Sequence, residues 1–203
     1  MAWGRSWWRS ADDYDVRGVD VSAYQGEIDW PVLAGQDLDF AFVKATEGSS
    51  RVDERFAANW TGAQETGLLV GAYHFLSFES PGESQAAHLI EQVPATQGTL
   101  PPVVDVEYYG DFAADPPSVE DLRGILDPML AALEEHYGAV PIIYTTQEVR
   151  SRYLGEDDDR YPLWIRSVAL APEVPRRDRE FWQYSDRDVS DGTLDDLRAM
   201  TLG

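Results

Sequence analysis

The sequence predicts a single α/β domain in which a mostly parallel sheet closes into a barrel. From Arg17 onward, short apolar segments alternate with longer segments of helical periodicity, which is typical of repeated β-α units. No internal repeat and no linker rich in glycine or serine divides the 203 residues. Polar and aromatic residues recur at the ends of the apolar segments, where barrels of this kind carry their functional side chains.

The strands are predicted from short apolar segments bounded by turn residues. The segment Val103–Glu107 is an example, since Pro101-Pro102 precedes it and Gly110 follows it. The segments Pro162–Ile165 and Glu180–Tyr184 have no helix-sized pattern between them. In chain order, the predicted strands are 18–22, 40–45, 68–75, 103–107, 141–145, 162–165 and 180–184.

The helices are predicted from periodicity and from residues that favour helix ends. Asp29 is a suitable N-cap for a helix that starts at Trp30, and Pro31 suits its first turn. Ser118 is a suitable N-cap for a long helix, with Asp121 at the capping-box position. The first predicted helix starts at residue 30, and the other four span 51–65, 81–93, 118–137 and 148–153.

Composition excludes several classes of protein. Hydrophobic residues make up 43% of the chain, with 7 Trp and 10 Tyr, so we expect a packed core. The absence of cysteine excludes disulfides, thiol catalysis and cysteine-based zinc sites, and we expect no cofactor and no metal. No apolar run approaches the length of a membrane span. The net charge of -21, without a basic stripe, argues against nucleic acid as a partner.

Residues 1–17 differ in composition from the rest of the chain. They begin with tryptophans and arginines and continue with aspartates, and they contain no apolar core of a secretory signal peptide. We therefore expect 1–17 to be an N-terminal arm, disordered or weakly packed, and 18–203 to be the barrel.

Two carboxylates are expected on one side of a strand. Because side chains alternate along a strand, Asp105 and Glu107 project to the same side near its carboxyl end. Each raises the cost of ionising the other, so one of them tends to hold a proton near neutral pH. One protonated acid beside one anion is what acid-catalysed cleavage of a glycosidic bond requires.

The other predicted strands also end in polar or aromatic residues. In a barrel these ends meet at one rim, which predicts an active site there. The aromatic side chains among them suit the apolar faces of sugars, although many aromatic residues must belong to the core. The strand ends carry Asp20, Lys44, Glu47, Tyr73, His74, Phe75, Asp105, Glu107, Tyr144, Trp164, Gln183 and Tyr184.

Five blocks of the sequence resemble glycoside hydrolase family 25, the Chalaropsis-type lysozymes. Their order and spacing match the family from about Arg17 to the C-terminus, which makes the resemblance specific. The blocks are Gly18–Ser22 with Tyr24–Gly26 and Ile28–Trp30, then Phe42–Gly48, Gly71–Phe75, Asp105–Glu107 and Phe181–Tyr184.

The resemblance implies a modified TIM-like β/α barrel with reduced helix content. It implies hydrolysis of the β-1,4 bond between N-acetylmuramic acid and N-acetylglucosamine, with bacterial peptidoglycan glycan strands as the partner. We accordingly expect a monomer that acts on the cell wall, either extracellularly or as a released phage endolysin.

The resemblance also implies roles for particular residues. Glu107 matches the acid/base glutamate, Asp105 its partner carboxylate and Asp20 the aspartate of the first strand. A further site aspartate falls on Asp196, whose register fits better than that of Asp195. The implied mechanism retains the anomeric configuration through the substrate's N-acetyl group. Substrate contacts are expected from Tyr24, Lys44, Glu47, Tyr73, Tyr144, Trp164, Gln183 and Tyr184.

This chain also departs from the family and leaves alternatives open. Arg198 replaces an asparagine after the C-terminal aspartate, and Arg166 stands where alanine is common. Lys44 and Glu47 could form a structural ion pair instead of binding substrate, and His74 is better interpreted as a core histidine than as a catalyst. The rival functions are an inactive peptidoglycan-binding barrel and a Mg-dependent phosphoesterase.

Overall fold

The computed structural model describes residues 16–167, 181–183, 189–190 and 198–202. They form one α/β unit. Short 3-10 turns occupy 23–25, 110–113 and 156–158. The helices are α1 Trp30–Ala34, α2 Phe56–Gln64, α3 Gly82–Gln92, α4 Val119–Tyr137 and α5 Gln147–Tyr153. The strands are β1 Gly18–Val21, β2 Phe40–Glu47, β3 Arg51–Val52, β4 Leu69–Phe75, β5 Val103–Val106, β6 Ile142–Thr146, β7 Leu163–Arg166, β8 Phe181–Gln183 and β9 Val189–Ser190.

The sheet closes into a barrel, as the sequence predicts. β1 pairs in parallel with β2 and antiparallel with β9, while β9 pairs antiparallel with β8. Between β2 and β8 the order is β2-β4-β5-β6-β7-β8, and every neighbouring pair in it is parallel. The carboxyl ends of these parallel strands therefore share one rim, which is where barrels of this class place their sites.

The barrel interior is an apolar layer below that rim. Phe42 on β2 packs against Trp164 on β7 at a ring-centroid distance of 5.0 Å and against Phe181 on β8 at 5.7 Å. A Cβ atom at Gly71 on β4 would lie 2.3 Å from the ring of Phe42, so only glycine leaves room for it. The buried members of this layer are Val16, Phe40, Phe42, Leu100, Val103, Ile142, Tyr144, Trp164 and Phe181.

A second core lies between the outside of the sheet and the helices. Outward-facing strand residues such as Ala41 and Val43 alternate with the inward-facing phenylalanines, because strand side chains alternate between faces. The long helix α4 contributes Leu122, Leu126 and Leu130, which are fully buried. Ser118 caps α4 by accepting a hydrogen bond from the Asp121 amide, and Gly138 ends it in the left-handed conformation.

The predicted elements agree with the observed ones to within two residues except in one helix and in the two short strands β3 and β9, and the ends of 180–184 lie outside the described residues. Arg51 and Val52 were expected to open a helix, but they form β3, which pairs with Glu47 and Thr46 at the end of β2. The helix that follows starts only at Phe56. β9 was not predicted, because a two-residue strand carries too little hydrophobic pattern to identify.

The N-terminal arm lies mostly outside the described residues. Its last two residues, Val16 and Arg17, are described and contact the barrel. Val16 is buried in the interior layer, and the Arg17 amide donates a hydrogen bond to Asp39. Among the described helices, none is both long and apolar enough to span a bilayer.

The packing of α3 on α4 gives a stability prediction. A Cβ atom at Gly82 would lie 1.9 Å from the carbonyl oxygen of Ile125, whereas a Cβ at Gly124 would meet nothing within 4 Å. We expect Gly82→Ala to destabilise the fold by about 3 kcal/mol, because backbone must move. The control Gly124→Ala, in the interior of α4, should stabilise it by about 0.5 to 1 kcal/mol. Urea unfolding of both variants measures this, and equal midpoints would contradict the packing described.

Candidate active site

Three carboxylates meet at the rim of the barrel. Strand register explains the arrangement: Asp105 on β5 lies beside Phe75 of β4 and Tyr144 of β6, and Glu107 follows directly after β5. Asp20 is on β1, which is sequentially remote but adjoins β2 and β9 in the closed sheet. Together they line a cavity of about 140 Å³ whose walls are Asp20, Tyr73, Val103, Asp105, Glu107, Tyr144 and Trp164.

Asp105 is the most strongly perturbed of the three acids. Its side chain is buried, and its Oδ1 atom is shielded from solvent without a hydrogen-bond partner among the described residues. Burial raises the pKa of Asp105 well above its usual value, and the charge of Glu107 raises it further. The nearby cations Lys44 and Arg166 act in the opposite direction.

The other two acids also favour their protonated forms. Burial raises the pKa of Glu107, while the charge of Arg166 opposes that change. Burial likewise raises the pKa of Asp20, to about 6, and hydrogen bonds from its own backbone and from Gln183 limit this rise. Because the charge of Glu107 disfavours ionisation of Asp105, the two carboxyls titrate as a pair that holds a shared proton to higher pH than isolated carboxyls would.

Arg166 is a member of this site that the sequence analysis did not assign a role. It ends β7 beside Gln183 of β8, and its charge lowers the pKa of Asp20, Asp105 and Glu107. The sequence marked Arg166 only as a departure from the family's common alanine. Its position at a strand end was the available signal for a place in the site.

The aromatic residues of the cavity occupy different depths. Trp164 is 2% exposed and lies edge-on to Tyr144 at 4.8 Å, so it forms the floor of the cavity. The Tyr144 hydroxyl donates a hydrogen bond to Gln183. Tyr73 is hydrogen-bonded to Ser22, and burial followed by the charges of Asp20 and Asp105 raises its pKa well above the usual value. These tyrosines are therefore neutral hydrogen-bonding groups at working pH.

A second cleft of about 360 Å³ lies beside the first and includes Tyr24, Lys44, Glu47 and Arg51. The Lys44 ammonium is 2.9 Å from Glu47, so these two residues do form an ion pair. Burial would raise the pKa of Glu47, but Lys44 and Arg51 lower it below its usual value. The Tyr24 side chain is 94% exposed, which leaves its ring face available to a ligand.

His74 is a core residue, as the sequence analysis favoured. Its ring is fully buried, with Nδ1 2.7 Å from the Thr46 hydroxyl and Nε2 3.0 Å from Gln85 Oε1. Since Gln85 Oε1 can only accept, the proton is on Nε2 and Thr46 donates to Nδ1. Burial lowers the pKa of His74 to about 4, so the ring is neutral and structural.

Two predicted site residues, Tyr184 and Asp196, lie outside the described residues, as does Asp195. Of the remaining predicted positions, Trp164 forms the floor of the cavity, Gln183 is buried and hydrogen-bonded to Tyr144 and Asp20, and the others lie toward the carboxyl rim. Asp20, Asp105, Glu107, Tyr73, Tyr144 and Trp164 share the central cavity, and Tyr24, Lys44 and Glu47 share the second cleft. Within the described ranges, no group of three or more His, Cys, Asp or Glu side chains is arranged to hold a metal ion.

This geometry supports acid/base chemistry. A carboxyl pair that shares one proton can donate it to a leaving oxygen, and the remaining anion can stabilise the positive charge that develops on the sugar. Burial of Asp105 above the apolar layer that contains Val103 and Trp164 lowers the local dielectric constant and strengthens both effects. An acetal bond between sugars is the type of bond that such a pair cleaves.

Comparison with known proteins agrees with this chemistry. Residues 19–193 match the family described as glycosyl hydrolases family 25. The uncharacterized protein YegX of Escherichia coli strain K12 is 35% identical over 208 residues, covering 94% of this chain and 75% of YegX. Lysozyme M1 of Streptomyces globisporus is 33% identical over 186 residues, covering 86% of this chain and 63% of that lysozyme.

Comparison with solved structures identifies the same family. The structure of a family 25 glycosyl hydrolase from Bacillus anthracis superposes with a TM-score of 0.90 and 39% sequence identity. The match covers 99% of this chain and 100% of that one. The curled, mostly parallel sheet with few helices is therefore a shared fold.

Proposed function

Because this chain belongs to glycosyl hydrolases family 25, we propose that it is a lysozyme that hydrolyses the β-1,4 bond between N-acetylmuramic acid and N-acetylglucosamine in bacterial peptidoglycan. The observation that carries the proposal is the pair formed by buried Asp105 and half-buried Glu107, which lines one cavity together with Asp20. A single chain supplies all three acids, so we propose that the monomer is active. Its place of action is the cell wall, reached from outside or after release as a phage endolysin.

Glu107 is the proposed general acid. Its raised pKa favours the protonated carboxyl, which can protonate the oxygen that leaves with N-acetylglucosamine. Once the leaving sugar has departed, the same group is ionised and can activate water. One residue therefore serves both steps, as microscopic reversibility requires.

Asp105 is the proposed partner of the substrate's N-acetyl group. Its buried carboxylate would accept a hydrogen bond from the acetamido N–H, and that contact favours its ionised form. Substrate binding would thereby move the shared proton of the pair onto Glu107, where it is needed. The acetamido carbonyl oxygen then attacks the anomeric carbon, and Asp105 stabilises the positive charge of the resulting ring.

The aromatic and charged residues of the two clefts are proposed sugar contacts. Tyr73, Tyr144 and Trp164 shape the cavity around the reacting sugar. Tyr24 offers a ring face, and Lys44 and Glu47 offer a cation and an anion, in the neighbouring cleft. For Tyr184 and Asp196, the proposal rests on the family blocks alone.

The bond specificity can be tested directly. Purified peptidoglycan would be digested, reduced with borohydride and analysed by mass spectrometry. We expect reduced N-acetylmuramic acid at the new ends, with or without a chelator present. Reduced N-acetylglucosamine would contradict the proposed bond, and no new end from a folded sample would favour an inactive wall-binding barrel.

The participation of the acetamido group gives a further prediction. Peptidoglycan whose muramic acid residues are de-N-acetylated should be cleaved about 100-fold more slowly or worse, because the internal nucleophile is missing. Chemical re-acetylation of the same sample is the control and should restore the rate. Equal cleavage rates on the two substrates would exclude substrate assistance.

A further inference from the structure

Gln183 is buried at the base of the site, and both ends of its amide are engaged by protein groups. Its side chain is 3% exposed at the end of β8. The Tyr144 hydroxyl donates to Gln183 Oε1 at 2.7 Å, and Gln183 Nε2 donates to Asp20 Oδ1 at 2.8 Å. The sequence placed Gln183 among substrate contacts, but these hydrogen bonds connect it to a site carboxylate.

The direction of this hydrogen-bond chain is set at both ends, because ionised Asp20 can only accept a hydrogen bond and neutral Tyr144 can donate one. Burial, followed by the charge of Glu107, raises the pKa of Tyr144 far above its usual value, so the phenol stays neutral and keeps its proton. A phenol that donates to Oε1 orients the amide with its N–H groups toward Asp20. The flipped amide would place an oxygen against the carboxylate, which is repulsive. Asp20 Oδ1 therefore faces a permanent donor.

The barrel topology explains why a long amide side chain is required at position 183 to contact Asp20. β6, β7 and β8 are consecutive neighbours, whereas β9 separates β8 from β1. Gln183 is long enough to reach from the end of β8 to Asp20 on β1, which is 163 positions away in the chain. It therefore links Asp20 to the side of the barrel that carries Tyr144.

We propose that Gln183, held by Tyr144, is a positioning residue that keeps Asp20 oriented and ionised beside the catalytic pair. The consequence for catalysis rests on the proposed lysozyme function, whereas the positioning of Asp20 rests on the hydrogen bonds alone. The other groups that act on Asp20 are its own backbone, Glu107 directly after β5 and Arg166 on β7, while the charge of Asp20 in turn acts on Asp105 of β5 and Tyr73 of β4. Glu107 opposes ionisation of Asp20 and Arg166 favours it, so the donor from Gln183 adds to the effect of Arg166.

Removal of the donor should change the titration of Asp20. Asp20 is partly exposed at the end of β1, and with its pKa raised to about 6 it becomes protonated below that pH. Without the Gln183 N–H, we expect its midpoint to rise by about one pH unit, because a hydrogen bond to the charged form is lost. If ionised Asp20 is required, the acid limb of kcat/KM moves to higher pH by the same amount.

The test compares Gln183→Met with Tyr144→Phe and with a matched control. Gln183→Met keeps the volume and removes both polar ends, whereas Tyr144→Phe removes only the group that orients the amide. Gln85→Met is the control, because Gln85 is another fully buried glutamine, hydrogen-bonded to His74 away from the site. The carboxyl ¹³C shift of Asp20 would be titrated by NMR, and kcat/KM would be measured from pH 4 to 8.

We expect the Asp20 midpoint and the acid limb to rise by about one unit in Gln183→Met, less in Tyr144→Phe, and not at all in Gln85→Met. If Gln183→Met does not fold, Tyr144→Phe alone decides. An unchanged Asp20 midpoint in the folded variant would overturn the inference. The NMR titration needs no turnover. If the original protein cleaves no peptidoglycan but the Asp20 midpoint still rises in Gln183→Met, the proposed function is refuted and the positioning role is not.

Discussion

Glu107→Gln should lower the rate of peptidoglycan hydrolysis by about three orders of magnitude, which is the typical contribution of a positioned acid/base group. Glutamine has nearly the same shape but cannot donate a proton to the leaving oxygen or later activate water. The loss should appear mainly in kcat, because binding of the glycan strand does not depend on that proton. Initial rates on soluble peptidoglycan fragments measure it.

The fold should survive this substitution. Burial raises the pKa of Glu107, so its ionised form is disfavoured in the folded state and a neutral glutamine removes that penalty. The matched control is Glu65→Gln, an exposed position at the end of α2 whose change should leave the rate unaltered. Undiminished wall lysis by folded Glu107→Gln would remove Glu107 from the mechanism.

Asp105→Asn should also lower kcat strongly, by about two to three orders of magnitude. An amide at this position cannot stabilise the positive charge that develops on the sugar. In the substrate complex, where Asp105 is proposed to be ionised, the change also removes a like charge beside Glu107, so the pKa of Glu107 falls there. The alkaline limb of the pH profile, which reports loss of the Glu107 proton, should therefore move to lower pH. An unchanged alkaline limb would mean that the two groups are not coupled.

The same variant should be more stable than the original protein at neutral pH. The folded-state pKa of Asp105 is raised, so the folded protein holds this proton more tightly than the unfolded chain does. For such an acid, stability is greatest below the unfolded pKa of about 3.9 and falls as pH rises through the folded pKa. We expect Asp105→Asn to gain about 1 to 2 kcal/mol at pH 7, and little at pH 3. Urea unfolding at both pH values measures the difference.

Most of the site could be predicted because its residues follow local patterns. Asp105 and Glu107 are two positions apart at the end of an apolar segment, and strand alternation alone places them on one side. Asp20 ends a similar segment, and the closed parallel sheet brings all such ends to one rim. The matched family confirms the fold class that these patterns predicted.

What the sequence could not predict depends on contacts between distant segments. The hydrogen bond from Gln183 to Asp20 exists because β9 inserts between β8 and β1, and β9 has no recognisable pattern. Arg51 and Val52 have no strong strand signal either, and their pairing with the end of β2 decides their conformation. The depth of Trp164 in the barrel could not be predicted either. The alternation of strand side chains predicts which face of the sheet a residue occupies, but not how far below the rim it lies.

The central claim is that the carboxyl pair works together with the acetamido group of the substrate. Proton NMR of the first minutes of hydrolysis of a soluble glycan fragment tests this most directly, because it identifies the anomer that forms before mutarotation. The proposed mechanism predicts that the β anomer of N-acetylmuramic acid appears first, since two displacements retain the configuration. An initial α anomer would show direct attack by water and would contradict the proposed roles of Asp105 and the acetamido group.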